Sequence, residues 1–365
     1  MCATRLSLNR KESVDALRKK IDLIDEKIVG LLNDRASIAR RIGHKKRLNN
    51  EAIYVPLREQ EILNRLCQLS HGPLPEQAIR SIFSEVIGAC RALESPLKIA
   101  FFGAAATYSH LAAREKFGST VTLLPTASIA EVFQEVKQVR VSFGVVPIEN
   151  STEGVVGHTL DLLVDSDLRI CAEVFLVIHH NLLSRTGRAE DLHRIVSHPQ
   201  ALAQCRVWLG GHFPSLPVEE VASTAHAAKM AAQDSAVGAI SSCLAKEVYN
   251  LQLVAANIED QSNNITRFLV IADKDPGPSK NDKTSLVFSV KDEPGVLHRM
   301  LQPFAKSRIN LSKIESRPIK NKLWEYMFFL DLKGHRAEPR VQRAIKDVER
   351  NCTFLKILGS YPSGR

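Results

Sequence analysis

The sequence predicts three differently built parts: an all-helical N-terminal segment, an α/β middle part and a small α+β module. Three observations lead to this prediction. Apolar residues recur every three or four positions near the N-terminus, strand and helix patterns alternate through the middle, and the C-terminal pattern has the order β-α-β-β-α-β. We therefore predict domains at residues 1–95, 96–273 and 284–365, with a linker containing Pro, Gly and Ser at 274–283.

Composition excludes several classes of protein. A hydrophobic content of 44% and a charged content of 24% are typical of a globular protein. Apolar runs are too short for a membrane helix and the N-terminus is charged, so we expect a cytoplasmic protein that binds no membrane. The seven cysteines form no Cys-x-x-Cys pair, which argues against disulfides and zinc and for reduced thiols. We separately expect the protein to use no metal and no organic cofactor. The net charge of +9 suits small anionic ligands, and nucleic acid is disfavoured because no basic run is interleaved with aromatic residues.

The first element is a long amphipathic helix from Ser13 to about Arg47. Its apolar seam consists of Leu17, Ile21, Ile24, Ile28, Leu31, Ile38 and Ile42. A helix of this length spans about 50 Å at about 1.5 Å per residue, which is too long for a small domain to cover. The seam therefore predicts a second copy of the chain and an intertwined helical dimer. Two shorter helices should follow Pro56 and Pro75.

Basic residues on this helix could share one ligand. Arg35 and Lys46 are eleven positions apart, which places them about 20° from alignment on one helix face. Arg18 lies about 25 Å from Arg35 along the helix axis, so it could join the same site only from the other subunit. The spacing alone favours a solvated charged face over a shared ligand site.

The N-terminal motifs resemble a known family. Leu17-Arg18, Leu31-Leu32-x-x-Arg35, Ile42-Gly43-x-x-Lys46 and Arg58-Glu59 are similar to the helical chorismate mutase domain of bacterial bifunctional phenylalanine-pathway enzymes. The resemblance implies a chorismate site built from Arg18 of one chain and from Arg35, Lys46, Val55, Arg58, Glu59, Cys90 and Glu94 of the other. Val55, Cys90 and Glu94 depart from the usual acid, Ser and Gln of that family, so Glu59 is expected to hold the substrate hydroxyl without help from residue 55.

The middle part should carry a second site. Its alternating strands and helices predict a largely parallel sheet that binds ligands beyond the strand ends. Polar clusters lie at those ends: Thr107-Tyr108-Ser109, Glu149-Asn150-Ser151-Thr152, Ser197-His198-Pro199-Gln200 with Gln204, Ser223-Thr224, and Asn264 with Thr266-Arg267-Phe268. Each cluster alone could be a helix N-cap. Together they suit a small carboxylate that must be oriented and protonated.

These clusters resemble prephenate dehydratase, which has two lobes like a periplasmic binding protein. The resemblance rests on Pro147-Ile148-Glu149-Asn150-Ser151, the run from Ser197 to Cys205, and Thr266-Arg267-Phe268. It implies that Thr266 relays or donates the catalytic proton. It implies a prephenate site lined by Thr107, Ser109, Glu149, Asn150, Ser151, Thr152, His198, Gln200, Gln204, Ser223, Thr224, Asn264, Arg267 and Phe268. Arg267 could instead pack against an acid, and His198 could be a structural turn residue.

One loop departs from the dehydratase pattern. Gly103-Ala104-Ala105-Ala106-Thr107 stands where the family usually has Gly-Pro-x-Gly-Thr. If that position needs a positive φ, Ala106 costs about 1 kcal/mol or more. The loop could then be displaced, together with Thr107 and Ser109.

The C-terminal part resembles the ACT regulatory domain of dehydratases, which has a ferredoxin-like fold. The motifs are Gly295-Val296-Leu297 and Glu315-Ser316-Arg317-Pro318. The resemblance implies a phenylalanine site between paired domains, with Asn310 and Leu311 in its lining. The combined expectation is an enzyme, at least dimeric, that converts chorismate to prephenate and then to phenylpyruvate and is inhibited by phenylalanine. One alternative is a ligand-sensing protein that keeps the folds without the chemistry, and another is a C-terminal module that only dimerises.

The chemistry of the first reaction generates a pH prediction. A Claisen rearrangement needs a compact substrate conformer and positive potential at the ether oxygen, where we expect Lys46 and Glu94 to donate. A carboxyl group donates a hydrogen bond only when protonated. The mutase rate should therefore fall as Glu94 ionises. Steady-state mutase assays across the pH range check this, and a rate that does not change with pH would contradict it.

Overall fold

The computed structural model describes residues 13–48, 56–94, 97–291, 293–318 and 326–364. The chain divides into two compact units, one formed by residues up to 54 with 63–96 and the other by 55–62 with 97–365. Each unit is described by itself. Within the described ranges, none of the helices combines the length and apolar character needed to cross a bilayer.

The first unit is helical, as the sequence predicts. The helices of this part of the chain are α1 (Val14–Leu48), α2 (Pro56–Leu69), whose residues up to 62 group with the second unit, and α3 (Glu76–Glu94). The backbone N–H of Ala16 donates to Ser13 Oγ at 3.2 Å, so Ser13 caps α1 as expected. The side of α1 that packs on α3 includes Arg35, Ala39, Gly43 and Lys46, all at least partly buried.

The apolar seam of α1 is exposed in the single chain. Its seven side chains, from Leu17 to Ile42, are 45% to 68% accessible to solvent. An unbroken apolar stripe of this length is a protein-contact surface rather than a normal solvated face. The structure therefore leaves the seam available for another helix.

The second unit begins with a two-lobed α/β domain. The first lobe contains strands β1 (Lys98–Phe102), β2 (Thr122–Thr126), β3 (Phe143–Asn150), β4 (Gly154–Val155), β5 (Arg169–Val177) and β11 (Ile265–Ala272), with helices α4 (Tyr108–Phe117), α5 (Ile129–Lys137) and α6 (Gly157–Asp165). Its sheet has the order β2-β1-β3-β11-β5, with β4 paired to β3. The apolar faces of α5 and α6 pack on this sheet and form its core.

The second lobe is built from the chain between β5 and β11. It contains β6 (Asn181–Ser184), β7 (Arg194–Ser197), β8 (Val218–Glu220), β9 (Val237–Ser241) and β10 (Gln252–Ala255), with α7 (Pro199–Gln204), α8 (Arg206–His212), α9 (Thr224–Gln233) and α10 (Leu244–Val248). Its sheet has the order β10-β6-β9-β7-β8. The chain crosses between lobes twice, at 178–180 and at 256–264.

The prediction of a largely parallel sheet is wrong in part. Each lobe has its own sheet, with three parallel strands, β2-β1-β3 in the first and β9-β7-β8 in the second. The strands next to the crossings, β5, β6, β10 and β11, pair in antiparallel fashion. The local strand and helix pattern does not reveal this, because pairing direction depends on how the chain returns between lobes.

A bulge in the pairing of β3 with β11 determines which side chains face the same way. Thr266 pairs with Asn150, but Phe268 pairs with Pro147, so β3 has one extra residue, Ile148, opposite β11. Residues three apart on β3 consequently share a face with residues two apart on β11. Pro147 and Asn150 therefore lie on the same side as Thr266 and Phe268.

The C-terminal module confirms the predicted β-α-β-β-α-β order. Its elements are β12 (Asp282–Val290), α11 (Val296–Lys306), β13 (Leu311–Pro318), β14 (Tyr326–Lys333), α12 (Pro339–Glu349) and β15 (Phe354–Pro362). All pairs in its sheet, β13-β14-β12-β15, are antiparallel, which gives the ferredoxin-like fold. One face of this sheet packs under α11 and α12, and side chains of its other face join the core of the first lobe.

A buried ionic cluster joins this module to the first lobe. Arg267 Nε donates to Glu173 at 2.8 Å and Arg267 Nη1 donates to Asp331 at 2.6 Å. Lys283 Nζ lies 2.7 Å from Glu173, and the Glu173 side chain is 0% exposed. Burial disfavours the charge on Arg267, but Tyr361, Asp331 and Glu173 raise its pKa above the ordinary value. Arg267 therefore keeps its positive charge at neutral pH although its side chain is buried.

Replacing Glu173 with Gln tests how much this cluster contributes to the stability of the protein. The variant leaves Arg267 and Lys283 buried with one carboxylate fewer, which should lower the free energy of unfolding by about 3 kcal/mol. Urea denaturation of the variant and the parent measures the difference. The matched control is Glu190→Gln, which removes a fully exposed partner of Arg188 and should leave the denaturation midpoint unchanged. Equal midpoints for all three proteins would contradict the prediction.

Candidate functional site

A cavity of about 800 Å³ lies between the two lobes. Three sets of residues line it. The first lobe provides Phe102, Gly103, Ala104, Ala105, Thr107, Tyr108, Ser109, Pro125, Thr126, Ala127, Pro147, Asn150, Glu153 and Val156. The second lobe provides His198, Gln200, Ala201, Gln204, Ala222, Ser223 and Thr224, and β11 and the crossings provide Ile178, His180, Asn264, Thr266 and Phe268. No lysine or arginine of the described chain is among them.

The Asn150 side chain has one possible orientation. Its Oδ1 accepts hydrogen bonds from the backbone N–H groups of Thr152, at 2.9 Å, and Glu153, at 3.1 Å. Backbone N–H groups can only donate, so the other end of the amide must be the nitrogen. That Nδ2 donates to Thr266 Oγ1 and to Asn264 Oδ1, both at 2.8 Å. Thr266 Oγ1 is therefore an acceptor here, and its own O–H can donate into the cavity.

The hydrogen-bond chain continues across the cleft into the second lobe. Asn264 Nδ2 donates to Gln204 Oε1 at 2.9 Å, and Gln204 Nε2 donates to Thr152 Oγ1 at 3.3 Å. His180 Nε2 also lies 2.7 Å from Gln204 Oε1, and the Tyr108 hydroxyl lies 2.8 Å from His180 Nδ1. Gln204 is thus the point where the two lobes meet through side-chain amides.

Burial affects the two titratable groups at this end of the chain. Desolvation lowers the pKa of His180, although its hydrogen bond with Gln204 and the charge of Glu259 act in the opposite direction. Desolvation also raises the pKa of Tyr108 well above its ordinary value. At neutral pH His180 is therefore a neutral imidazole and Tyr108 a neutral phenol.

Helix N-termini from both lobes point at the cavity. Thr107 caps α4 by accepting from the His110 N–H, and Ser223 caps α9 by accepting from the His226 N–H. The next backbone N–H groups of each helix have no partner within the helix. The positive ends of the helix dipoles and these N–H groups can bind anions. The cavity therefore has a helix end suited to anions in each lobe, although no lysine or arginine of the described chain lines it.

The helical unit brings two predicted mutase residues to one helix face. Arg35 and Lys46 share the partly buried side of α1 with Gly43. Gly43 lies against Glu94 at the end of α3, where a Cβ on residue 43 would come within 2.7 Å of Glu94 Cβ. The absence of a side chain at Gly43 therefore allows Glu94 to approach the face that carries Arg35 and Lys46.

The predicted phenylalanine residues lie in two places on the C-terminal module. Gly295 has φ +75° and precedes the first turn of α11, which holds Val296 and Leu297. The other members belong to the edge strand β13 or precede it: Asn310, Leu311, Glu315, Ser316, Arg317 and Pro318. Arg317 donates to Asp161 of the first lobe at 3.0 Å, so its guanidinium already has an acidic partner.

Three family models match the chain. They are chorismate mutase type II at residues 17–95, prephenate dehydratase at 99–276 and the ACT domain at 284–350. A bifunctional chorismate mutase/prephenate dehydratase of Aquifex aeolicus is 47% identical over 355 residues, which cover 96% of this chain and 98% of the relative. The chain belongs to the bifunctional chorismate mutase/prephenate dehydratase family.

Two solved structures are similar to the second unit of this family member. The prephenate dehydratase of Arthrobacter aurescens in complex with L-Phe has a TM-score of 0.68 at 32% identity and covers 73% of this chain and 90% of its own. A protein described as GqqA, a novel type of quorum quenching acylase, has a TM-score of 0.68 at 31% identity, covering 73% of this chain and 98% of its own. The same fold thus occurs with two different activities.

The structure brings together most of the predicted dehydratase residues. The lining includes Thr107, Ser109, Asn150, His198, Gln200, Gln204, Ser223, Thr224, Asn264, Thr266 and Phe268. Thr152 does not line the cavity, but its hydroxyl bonds to both Asn150 and Gln204. His198 caps α7 through its Nδ1, so it has the turn role as well as a place in the cavity wall.

Besides Thr152, three predicted dehydratase residues do not line the cavity. Glu149 binds Lys313 at 2.6 Å, and Arg267 belongs to the buried ionic cluster, so both lie on the opposite face of the sheet. Ser151 Oγ accepts from the Ile265 N–H at the end of β11. Glu149 and Arg267 neighbour Asn150 and Thr266 in sequence, and successive residues of a strand point to opposite faces. The expectation that these three contact prephenate is corrected accordingly.

Sequence reasoning missed several residues of the cavity region. Tyr108 was noticed only as part of a polar cluster, and His180, Glu153 and Glu259 were not singled out. Glu259 Oε2 accepts from the His180 N–H at 2.9 Å and ties the two lobe crossings together. The feature of the sequence that could have indicated this part of the site is the pair of adjacent histidines, His179 and His180, between two predicted strands. Only the two-lobe topology makes that position a hinge.

The altered loop at Ala106 stays in place. Ala106 has φ +69°, so the position does require the left-handed conformation that the family glycine would adopt. Its methyl group is completely buried, and burial of one carbon contributes about 0.8 kcal/mol, which offsets most of the strain. Ala106 N also donates to His110 Nδ1 at 2.9 Å. Thr107 and Ser109 consequently keep their places in the cavity wall.

The remaining mutase residues are less informative in one chain. The Arg18 side chain is 73% exposed and lies 3.5 Å from Asp15, while Cys90 is buried in α3. Arg58 and Glu59 lie in the first turn of α2, where Arg58 contacts Glu61 at 3.4 Å. Val55 lies outside the described residues. The described chain contains no group of His, Cys, Asp and Glu residues arranged to hold a metal ion.

Gly43 provides a specific test of the mutase arrangement. Alanine is normally about 1 kcal/mol better than glycine in a helix, but the Gly43→Ala side chain would displace Glu94. We expect the mutase kcat/KM to fall at least about 10-fold, because small misplacements of a catalytic donor are costly. The dehydratase rate of the same sample should not change.

The matched control is Gly30→Ala on the same helix, where an added Cβ meets open space. This variant should keep the parental mutase rate. A parental mutase rate in Gly43→Ala, or an equal loss in both variants, would show that the approach of Glu94 to Gly43 does not matter.

Proposed function

We propose that the cavity between the lobes converts prephenate to phenylpyruvate and that the helical unit, as a dimer, converts chorismate to prephenate. The observation that carries the dehydratase assignment is the Asn150 orientation. Two backbone N–H groups fix that amide, and it donates to Thr266 Oγ1 at 2.8 Å. The Thr266 hydroxyl is thereby left as a donor toward the bound substrate.

The dehydratase reaction needs little from the protein beyond this donor. Decarboxylation breaks the carbon–carbon bond to the ring carboxylate, and its electron pair flows into the ring and expels the ring hydroxyl. A proton delivered to the departing oxygen makes it leave as water. We assign Thr266 O–H to that oxygen as a hydrogen-bond donor and proton relay. A threonine hydroxyl has too high a pKa to be the ultimate proton source, so it passes on a proton from the substrate's surroundings.

The two carboxylates of prephenate fit the two anion-binding ends. One helix N-terminus, that of α4 at Thr107, belongs to the first lobe, and the other, that of α9 at Ser223, belongs to the second. Prephenate bound to both would hold the lobes together and exclude water from the reacting ring. We propose that these N-termini take the place of Arg267, which the sequence suggested for a carboxylate.

The exposed seam of α1 supports the proposed mutase dimer. Its side chains from Leu17 to Ile42 are 45% to 68% exposed in one chain, and a second α1 provides a stripe of matching length. A dimer of this kind lets Arg18 of a second copy approach Arg35 and Lys46, which Arg18 of the same helix cannot reach. We propose that this combined set binds the chorismate dianion.

Phenylalanine inhibition is proposed for the C-terminal module. The similar dehydratase of Arthrobacter aurescens was solved with L-Phe. In this chain, Gly295 to Leu297 and the edge strand from Glu315 to Pro318 are the proposed contacts. Phenylalanine can inhibit only by binding more tightly to a less competent state. The buried cluster of Arg267 and Asp331 gives the module a direct connection to the strand that carries Thr266.

An acylase activity is less well supported by the cavity. Such chemistry uses a hydroxyl or thiol nucleophile beside a general base. The Thr107 and Ser223 hydroxyls cap helices, and Thr126 Oγ1 donates to the backbone oxygens of Phe101 and Ser128. The Thr266 hydroxyl accepts from the Asn150 amide nitrogen, and an amide nitrogen cannot act as a general base.

Substitution of Thr266 tests the dehydratase proposal. Thr266→Val keeps the volume but removes the hydroxyl, so the dehydratase kcat should fall at least about 100-fold. Thr266→Ser keeps the hydroxyl and should stay within about 10-fold of the parent. Phenylpyruvate formation from prephenate is the measurement, with mutase activity on chorismate as the internal control for folded protein. A Thr266→Val enzyme with parental dehydratase activity would refute the assignment.

A further inference from the structure

The hinge of the two-lobed domain contains a buried histidine that contacts both lobes. His180 lies in the crossing between β5 and β6, lines the cavity and is only 2% exposed. Its ring reaches Tyr108 of the first lobe through Nδ1 and Gln204 of the second lobe through Nε2. Its backbone N–H donates to Glu259 of the other crossing. Each polar group of His180 is therefore committed to a different part of the site.

The direction of every hydrogen bond in this chain can be derived from the backbone. Thr152 and Glu153 N–H groups fix Asn150 Oδ1, so Asn150 Nδ2 must donate to Asn264 Oδ1. Asn264 Nδ2 must then donate to Gln204 Oε1. The atom of Gln204 that His180 approaches is thus an acceptor. His180 Nε2 must carry a hydrogen and donate it.

We propose that His180 is a positioning residue for the dehydratase reaction: its Nε2–H gives Gln204 Oε1 a second donor beside Asn264 and so holds in place the second-lobe end of the chain that runs through Asn264 and Asn150 to Thr266. This proposal rests on the assignment of the cavity as the dehydratase site. His180 itself does not exchange a proton with the substrate. It acts as a donor at the lobe boundary, where Gln204 Oε1 would otherwise accept from Asn264 alone.

The opposite ring nitrogen is not needed for this role. In the neutral Nε2–H tautomer, Nδ1 is an acceptor for the Tyr108 hydroxyl. Tyr108 also lies 3.0 Å from the backbone oxygen of His179, which gives its hydroxyl a second acceptor. Loss of Nδ1 therefore leaves Tyr108 with a partner, whereas loss of Nε2–H leaves Gln204 Oε1 with one donor fewer.

This asymmetry allows a matched pair of substitutions. The amide of His180→Gln can place a nitrogen where the ring has Nε2, and the amide of His180→Asn stands where the ring has Nδ1. We expect His180→Gln to retain a dehydratase kcat within about 3-fold of the parent, and His180→Asn to lose about 10-fold or more, the effect of about one buried hydrogen bond. KM for prephenate should change less than kcat in both.

A double-mutant cycle separates positioning from general support of the hinge. In a Gln204→Ala background, His180→Asn should lower the dehydratase kcat by less than a further factor of about 2. Gln204, the group through which His180 acts, is already absent there. His179→Gln is the neighbouring control, since that ring contacts Glu259 and does not line the cavity. It should keep the parental kcat. Mutase activity and the thermal unfolding midpoint report folded protein in each sample.

Histidine-selective 15N NMR of the parent protein reads the tautomer directly, and the signal that is lost in His180→Gln identifies His180. A neutral ring protonated at Nε2 is expected. A ring protonated at Nδ1 alone, equal activities of the Gln and Asn variants, or additive losses in the Gln204→Ala background would each overturn the proposal. If Thr266→Val remains active, the cavity assignment and this proposal both fail. If Thr266→Val is inactive while the His180 pair is indistinguishable, only this proposal fails.

Discussion

Side-chain alternation along β3 and β11 is the constraint on which the second unit depends. Asn150 and Thr266 face the cavity, and their neighbours Glu149 and Arg267 face the C-terminal module. The same two strands therefore line the cavity between the lobes on one side and make an ionic contact with the module on the other. Any force that the module exerts on Arg267 acts on the residue next to Thr266. A regulatory signal from the module to Thr266 therefore has to cross only the peptide unit that joins Thr266 to Arg267.

The cavity obtains much of its polarity from amides and helix ends rather than from lysine or arginine side chains. Thr266 is oriented by Asn150, which is oriented in turn by two backbone N–H groups. Backbone donors cannot be inverted, so the order spreads outward to Asn264 and Gln204. A dianionic substrate in such a site meets preorganised dipoles that require little reorganisation as the reaction proceeds. The absence of lysine and arginine from the described lining also leaves no permanent cation there to hold an anionic product.

Sequence patterns predicted the elements and most of the cavity residues, and the failures have specific physical causes. Glu149 and Arg267 belong to motifs that resemble the family's, but a linear motif does not state which face of a strand each residue occupies. His180 and Glu259 escaped notice because they lie in crossings with no periodic pattern. The parallel sheet expected in the middle part became two mixed sheets, because strand direction is set by long-range chain return. The sequence indicated a positive φ at Ala106, because the family's glycine is missing there. It did not indicate that burial of the Ala106 methyl group would offset the backbone strain.

The sequence by itself determined the three-part order, the helical seam of α1, the β-α-β-β-α-β module and the family. These depend on local periodicity and on motifs within short segments, which are readable along the chain. The tertiary structure alone decided that the cavity has no arginine in its described lining, that His180 joins the lobes and that Arg267 binds the regulatory module. Those facts depend on strand pairing, on the β3 bulge and on the two crossings. Contacts of this kind join residues that can lie more than one hundred positions apart in the sequence, so no local pattern predicts them.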